Sequence, residues 1–240
     1  MSPERRVLQK LVEACSVTES RGTLGILDMS SPAISAHPVR SVVKRMPMYA
    51  TFKQMGHYPD FWWWKLRGEP RRIPHIVKQR AVLEYAQAFG LRTLVETGTY
   101  YGEMIAAVRH RFRRIYSIEL DPGLATLACE RFRRHRRVTI LNGDSHVIVP
   151  QLAKERHEAC LWWLDAGYCG WVGEMGNPDR LATEFGAILG AGKNHVILMD
   201  DADGVVGLAE LMAAIQANYS GHDVEVTRNI IRVTPQKPKN

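Results

Sequence analysis

The sequence has few cysteines and no long hydrophobic run, and each shortage excludes a class of protein. No stretch approaches the roughly 20 consecutive apolar residues that a membrane-spanning helix needs. The charged segment from Met1 to Arg6 lacks the apolar core of a signal peptide. The 4 cysteines form no CxxC pair and no zinc-ligand spacing, so we expect free thiols. These absences predict a cytoplasmic protein without a membrane partner.

Regular spacing of apolar residues is also scarce before residue 76. A helix is expected over Glu4–Cys15, but turn-forming residues follow it. The aromatic run Phe61–Trp64 precedes a stretch rich in proline and arginine, and we expect it to serve as a packing anchor. We interpret residues 1–75 as an N-terminal extension or lid with helical and irregular parts, and residues 76–240 as the main domain.

From residue 76 onward, β-rich runs alternate with segments of helical period. This alternation is typical of parallel βαβ units, which right-handed crossovers build into a doubly wound sheet. We predict a Rossmann-like α/β fold with a mostly parallel, seven-stranded sheet and an antiparallel last strand, because Val224 to Thr234 breaks near Asn229. The parallel strands are expected at Thr93–Thr97, Ile115–Leu120, Val138–Leu141, Cys160–Leu164 and His195–Met199, and the helices include Tyr101–Phe112 and Val205–Asn218.

An acidic residue lies at or just after the end of each predicted parallel strand. Ligands of doubly wound sheets bind beyond the carboxyl ends of the strands, so this edge is the expected site. Any one of these residues could instead cap a helix or a turn. Their recurrence along a single edge favours a ligand site. The residues are Glu96, Glu119, Asp144, Asp165 and Asp200.

The segment from about Leu91 to Thr234 resembles the class I S-adenosylmethionine-dependent methyltransferases. Val95-Glu96-Thr97-Gly98 through Gly102 is similar to the first motif of that family, whose acid and glycines surround the methionine part of the cofactor. Glu119 matches the acid that holds the ribose. The departure is Tyr100 in place of a commoner glycine, which also leaves less room for the pyrophosphate of a dinucleotide. The resemblance implies S-adenosylmethionine as the cofactor, bound by Glu96, Gly98, Thr99, Tyr100, Gly102, Glu119, Asp144, Ser145 and Asp165.

A narrower resemblance concerns the cation-dependent O-methyltransferases. Asp165 together with Asp200 and Asp201 is similar to their metal site, and carboxylates of this kind suit Mg²⁺. The metal would lower the pKa of an acceptor hydroxyl and orient it. Asp165 could also act as the general base, with His195 as a second catalytic candidate. The alternative is that Asp200 caps a turn and Asp201 caps the next helix.

Positive charge is plentiful, with 32 Lys and Arg residues against 25 Asp and Glu and a net charge of +7. Two clusters, Arg109–Arg114 and Arg131–Arg137, end predicted helices, where cations complement the helix dipole. Those ends face the edge opposite the cofactor edge, which favours a solvated surface. The extension is basic as well, so a nucleic-acid partner stays open.

These observations predict an enzyme, a transferase that methylates a hydroxyl of a small molecule or glycan. An RNA or protein methyltransferase and a catalytically inactive nucleotide-binding protein of the same fold are the alternatives. A nicotinamide-dependent oxidoreductase is disfavoured by the missing middle glycine. A homo-oligomer is also compatible with the sequence.

Overall fold

The structure is a computed structural model, which describes residues 65–68, 73–165 and 178–236. The helix expected over Glu4–Cys15 and the aromatic run Phe61–Trp64 lie outside the described residues. From His75 onward, strands and helices alternate as the periodicity predicts. The elements are α1 (His75–Ala88), β1 (Thr93–Thr97), α2 (Glu103–Val108), β2 (Arg114–Glu119), α3 (Pro122–Phe132), β3 (Val138–Asn142), α4 (Ser145–Glu155), β4 (Leu161–Leu164), α5 (Pro178–Gly190), β5 (Val196–Met199), α6 (Leu208–Asn218), β6 (His222–Thr227) and β7 (Ile230–Pro235).

The strands form a 7-stranded sheet in the order β3-β2-β1-β4-β5-β7-β6. Strands β1 to β5 pair in parallel, and β7 enters antiparallel between β5 and β6. The strand order reverses at β1: β2 and β3 lie on one side of β1 within the sheet, and the chain then crosses over β1 to form β4 on its other side. The predicted mostly parallel sheet with an antiparallel end is confirmed.

The central strands are buried because helices cover both faces of the sheet. Every residue of β1, β4 and β5 is buried, as expected for parallel strands between two helical layers. Successive side chains point to opposite faces: Trp162 packs in one core cluster with Phe185 of α5, and Trp163 packs in the other with Val82 of α1. The two cores therefore anchor the same strands from both sides.

The boundaries differ from the prediction where the backbone takes left-handed conformations. Helix α2 begins at Glu103 because Tyr100 and Gly102 have φ values of 49° and 71°. Helix α6 begins at Leu208, after a separate 3-10 turn over Ala202–Gly204. The last hairpin turns through two residues of positive φ, a conformation that matches the twist of the paired strands.

Two further expectations concern the membrane and the cysteines. No helix among the described residues is both long enough and apolar enough to cross a membrane. Cys160 is a buried free cysteine, as expected. Cys129 is disulfide-bonded, so the prediction of free thiols is wrong for this residue.

Candidate active site

The carboxyl ends of four neighbouring strands meet at one edge of the sheet. Thr97 of β1 is in register with Ile118 of β2 and with Leu164 of β4, and Leu164 is in register with Met199 of β5. The next residues along the chain therefore gather at the same edge. They include Gly98, Glu119, Asp165 and Asp200, which are four of the residues that the sequence places at strand ends.

The turn after β1 brings its backbone against β2. The N–H groups of Gly98 and Thr99 both donate to the Ile118 carbonyl, at 2.9 and 3.2 Å. Gly102 has a φ of 71°, and a Cβ at this position would lie 2.5 Å from Cε2 of Phe132. Only glycine combines this backbone conformation with this close contact. The turn is thus held tightly before α2 begins.

Glu119 is the acid that ends β2, and backbone groups fix its carboxylate. Its Oε2 accepts the N–H of Tyr100 at 2.7 Å, and its Oε1 accepts the N–H of Asp121 at 3.0 Å. The residue is only 7% exposed. A carboxylate offers about four acceptor positions, so about half of them stay open for a ligand hydroxyl.

Glu96 lies deeper, with 2% of its surface exposed. The hydroxyl of Ser117 donates to Glu96 Oε2 at 2.5 Å and also contacts the hydroxyl of Thr99 at 2.6 Å. Burial, with smaller contributions from the carboxylates of Asp165 and Glu119, raises the pKa of Glu96 to about 8, although the hydrogen bond from Ser117 acts against the shift. These acids therefore share one electrostatic environment, in which Glu96 keeps its proton near neutral pH.

Asp165 follows β4 directly and lies between Glu96 and Asp200 in this row of strand ends. Its backbone N–H donates to the carbonyl and the hydroxyl of Thr97, both at 3.2 Å. Burial raises the pKa of Asp165 to about 7, and the Asp200 carboxylate adds to the shift, while Lys78 acts against it. A carboxylate with a pKa near neutrality is suited to accept a proton.

Asp144 and Ser145 follow β3 and take part in local structure. Asp144 caps α4, where its Oδ1 accepts the N–H of His146 at 2.9 Å and the Arg180 guanidinium at 2.6 Å. The Ser145 hydroxyl donates to Glu184 Oε1 at 2.9 Å. Since 39% of the Asp144 side chain is exposed, it is still accessible from the edge. Its expected role in binding the cofactor stays a prediction.

Comparison with known proteins bears on the fold. The O-methyltransferase TomG of Streptomyces achromogenes aligns over 99% of this chain and all of its own (100%), with a TM-score of 0.53 and 14% identity. An O-methyltransferase of Bacillus cereus aligns over 67% of this chain and 81% of its own, with a TM-score of 0.51 and 17% identity. The chain has the class I methyltransferase fold. Identities this low establish the fold alone.

The sequence comparisons add one short match. No family model matches this methyltransferase-fold chain. A segment of 65 residues is 37% identical to the ribosomal RNA small subunit methyltransferase A of Acidobacterium capsulatum. That segment is 27% of the chain and spans only 23% of the relative's length. The match is consistent with a methyltransferase fold and leaves the acceptor open.

One of the three carboxylates that were predicted to bind a metal, Asp200, pairs with a lysine side chain instead. The ammonium group of Lys78 donates to Asp200 Oδ2 and forms an ion pair with it. Asp201 is exposed and has a left-handed backbone conformation, with a φ of 53°. Across the part of the chain that the structure describes, no group of three or more His, Cys, Asp or Glu residues is arranged to hold a metal ion. The observed arrangement of these carboxylates therefore does not fit Mg²⁺.

His195, the second catalytic candidate, lies at the other edge of the sheet. It precedes β5, is 1% exposed, and its Nδ1 accepts the N–H of Cys160, which precedes β4, at 3.0 Å. Burial lowers its pKa to about 4. Since the carboxyl ends of β4 and β5 are at the opposite edge, the expectation that His195 takes part in catalysis is corrected. Its role is to hold the start of β4.

The sequence analysis assigned no role in the site to four of the residues that contact the predicted site residues. Ser117 is an inward-facing residue of β2, and Arg180 and Glu184 lie on α5. Lys78 stands one residue after buried Val77 and one turn before Val82, which is fully buried. This position beside the apolar side of a helix was the available signal, because a lysine that is partly buried there needs a partner of opposite charge.

Proposed function

We propose that this protein is an S-adenosylmethionine-dependent methyltransferase that transfers a methyl group to a hydroxyl of a small molecule or glycan. The observation that carries the proposal is the convergence of Glu96, Glu119 and Asp165 at the carboxyl edge of the sheet. S-adenosylmethionine bears a sulfonium and an ammonium group, for which acidic side chains are suitable neighbours; Glu96, with a pKa of about 8, keeps its proton near neutral pH and acts there as a hydrogen-bonding group. A dinucleotide bears a pyrophosphate, for which Tyr100 in place of the middle glycine leaves less room.

The residues present fit the parts of this cofactor. Glu119 has its carboxylate oriented by two backbone N–H groups and keeps acceptor positions for the ribose hydroxyls. The turn from Gly98 to Gly102 offers its backbone to the methionine part, beside the acid Glu96. Asp144 and Ser145 would flank the adenine at the start of α4. Each assignment follows the match of these residues to the family motif.

The chemistry asks the protein mainly to position groups and to remove a proton. The bound cofactor supplies a methyl group that is already activated by the positive charge on sulfur. Asp165 would accept the proton of the acceptor hydroxyl. The deprotonated oxygen would then take the methyl group from the cofactor, whose sulfur would keep the electron pair of the bond that breaks. Holding these atoms in line supplies most of the acceleration.

The distribution of basic residues supports a small acceptor rather than RNA. A cleft of about 700 Å³ is lined by the carboxyl end of α2 and the segment before β3, including Arg109, His110 and Arg134–Arg137. This cleft lies at the edge of the sheet opposite Glu119. RNA phosphates bound there would hold a target base or ribose away from the cofactor edge.

Calorimetric titration with S-adenosylmethionine tests the proposal, with NAD⁺ as the matched control ligand. We expect micromolar binding of S-adenosylmethionine and none of NAD⁺. Transfer of a labelled methyl group to hydroxyl-bearing small molecules, oligosaccharides and RNA then separates the acceptor classes. Binding of NAD⁺ alone would contradict the cofactor assignment, and labelling of RNA alone would contradict the acceptor assignment.

A further inference from the structure

A lysine from the first described long helix reaches the carboxyl edge of the sheet. Lys78 belongs to the first turns of α1, and its ion-pair partner Asp200 follows β5, 122 residues later in the chain. The side chain of Lys78 is 16% exposed, and that of Asp200 is 1% exposed. The pair therefore joins α1 to the row of acids described above, in a place that is nearly closed to solvent.

A buried ammonium group is costly unless negative charge surrounds it. Burial by itself lowers the pKa of Lys78, but Asp200, Asp165 and Asp201 raise it beyond the ordinary value. The ion pair with Asp200 is the contact that stabilises the charged ammonium group. Lys78 therefore places a positive charge beside these carboxylates, as a bound divalent cation would.

The pair has hydrogen-bonding capacity left over. An ammonium group has three N–H donors, and among the described residues Lys78 uses one, to Asp200 Oδ2. Asp200 Oδ1 is buried and has no hydrogen-bond partner within the described part of the chain. A buried acceptor without a partner costs free energy. The oxygen of an acceptor hydroxyl would accept the remaining ammonium donors and keep its single proton for Asp165, and a second donor group of the same substrate would satisfy Asp200 Oδ1.

We propose that Lys78 is the cation of the acceptor site, taking the place of a divalent metal, so that methyl transfer here needs no Mg²⁺. This inference rests on the proposed function. The ammonium group would donate to the acceptor oxygen and stabilise the negative charge that develops as the hydroxyl proton moves to Asp165. The oxygen would then take the methyl group, and the cofactor sulfur would keep the electron pair of the bond that breaks.

The geometry disfavours binding of both cations at once. Mg²⁺ requires nearly octahedral oxygen ligands at short distances and would need the Asp200 oxygen that Lys78 holds. The ammonium group would also repel a divalent ion at contact distance. Removal of the lysine charge should therefore open the carboxylates to a metal, whereas an arginine should keep them closed.

Electron paramagnetic resonance of Mn²⁺ tests the inference without an acceptor, because bound Mn²⁺ loses the free-ion signal. The samples are the wild-type chain, Lys78→Met, Lys78→Arg and Lys154→Met, each with S-adenosylmethionine present. Lys154 is exposed on α4 and serves as the matched control. We expect Lys78→Met to bind Mn²⁺ at least about tenfold more tightly than the other three, and Lys78→Met/Asp200→Asn to lose that gain.

The outcomes separate the two proposals. Micromolar Mn²⁺ binding by the wild-type chain, or no gain in folded Lys78→Met, would overturn the role of Lys78. If Lys78→Met does not fold, the wild-type chain and Lys78→Arg still decide, because both must exclude Mn²⁺. S-adenosylmethionine affinity is measured in the same samples, so a failure of the cofactor assignment registers separately. Once an acceptor is identified, turnover that is unchanged by a chelator and lost in Lys78→Met is the expected further result.

Discussion

The backbone N–H of Tyr100 donates to Glu119 Oε2 over 2.7 Å. This bond joins the turn after β1 to the acid that ends β2, so the two cofactor-binding parts predicted from the sequence form one unit. Tyr100 itself has a φ of 49°, and its N–H donates to the acid while the residue as a whole stays 54% exposed. The residue that departs from the family motif thus contributes through its backbone.

Gly102→Ala should destabilise the protein. The new Cβ would meet the Phe132 ring at 2.5 Å, and φ is 71°, so we expect the free energy of unfolding to fall by about 2 kcal/mol or more. Gly190→Ala is the matched control, because no atom lies within 4 Å of its Cβ. Alanine is the better helix former there, so a change within about 1 kcal/mol is expected. Urea unfolding measures both; equal losses would contradict the packing argument.

Glu96 should make stability depend on pH. Its pKa is about 8 in the folded protein and ordinarily near 4.5. Between these values the folded protein keeps a proton that the unfolded chain has released, so stability falls as pH rises, by up to about 1.4 kcal/mol per pH unit. Glu96→Gln removes this contribution. Urea unfolding from pH 5 to 8 should give a steeper decline for the wild type. Parallel curves for the two proteins would show that Glu96 is ionised in the fold.

His195→Ala should reduce stability and leave cofactor affinity unchanged. The substitution leaves the buried N–H of Cys160 without its acceptor and opens a cavity beside Trp162. We expect a loss of about 2–4 kcal/mol in the free energy of unfolding. His135→Ala, at an exposed position, is the control and should cost far less. A large drop in S-adenosylmethionine affinity of folded His195→Ala would restore this residue to the site.

The fold could be predicted because its signals are local. Apolar strands such as Leu161–Leu164 and Val196–Met199 alternate with helical periods, and parallel pairing follows from that alternation. The same logic places Glu96, Glu119 and Asp165 at one edge. The late start of α2 could not be predicted, because it depends on the left-handed conformation of Tyr100, which a non-glycine residue seldom adopts.

The rest of the site depends on contacts that the sequence does not reveal. The pairing of Lys78 with Asp200 joins residues 122 positions apart, and nothing in the spacing of either residue indicates the other. His195 resembles a catalytic residue in composition alone. Its place at the start of the predicted strand His195–Met199 already put it at the edge opposite the acids, and in the structure it directly precedes β5.

The affinity of Glu119→Ala for S-adenosylmethionine tests the central claim most directly. Glu130→Ala is the matched control, because that acid lies on α3 with its side chain 73% exposed. Loss of charge-assisted hydrogen bonds to the ribose should weaken binding by about tenfold or more in Glu119→Ala and leave Glu130→Ala like the wild type. Calorimetry that finds the same dissociation constant for all three folded proteins would contradict the claim that this edge of the sheet holds the cofactor.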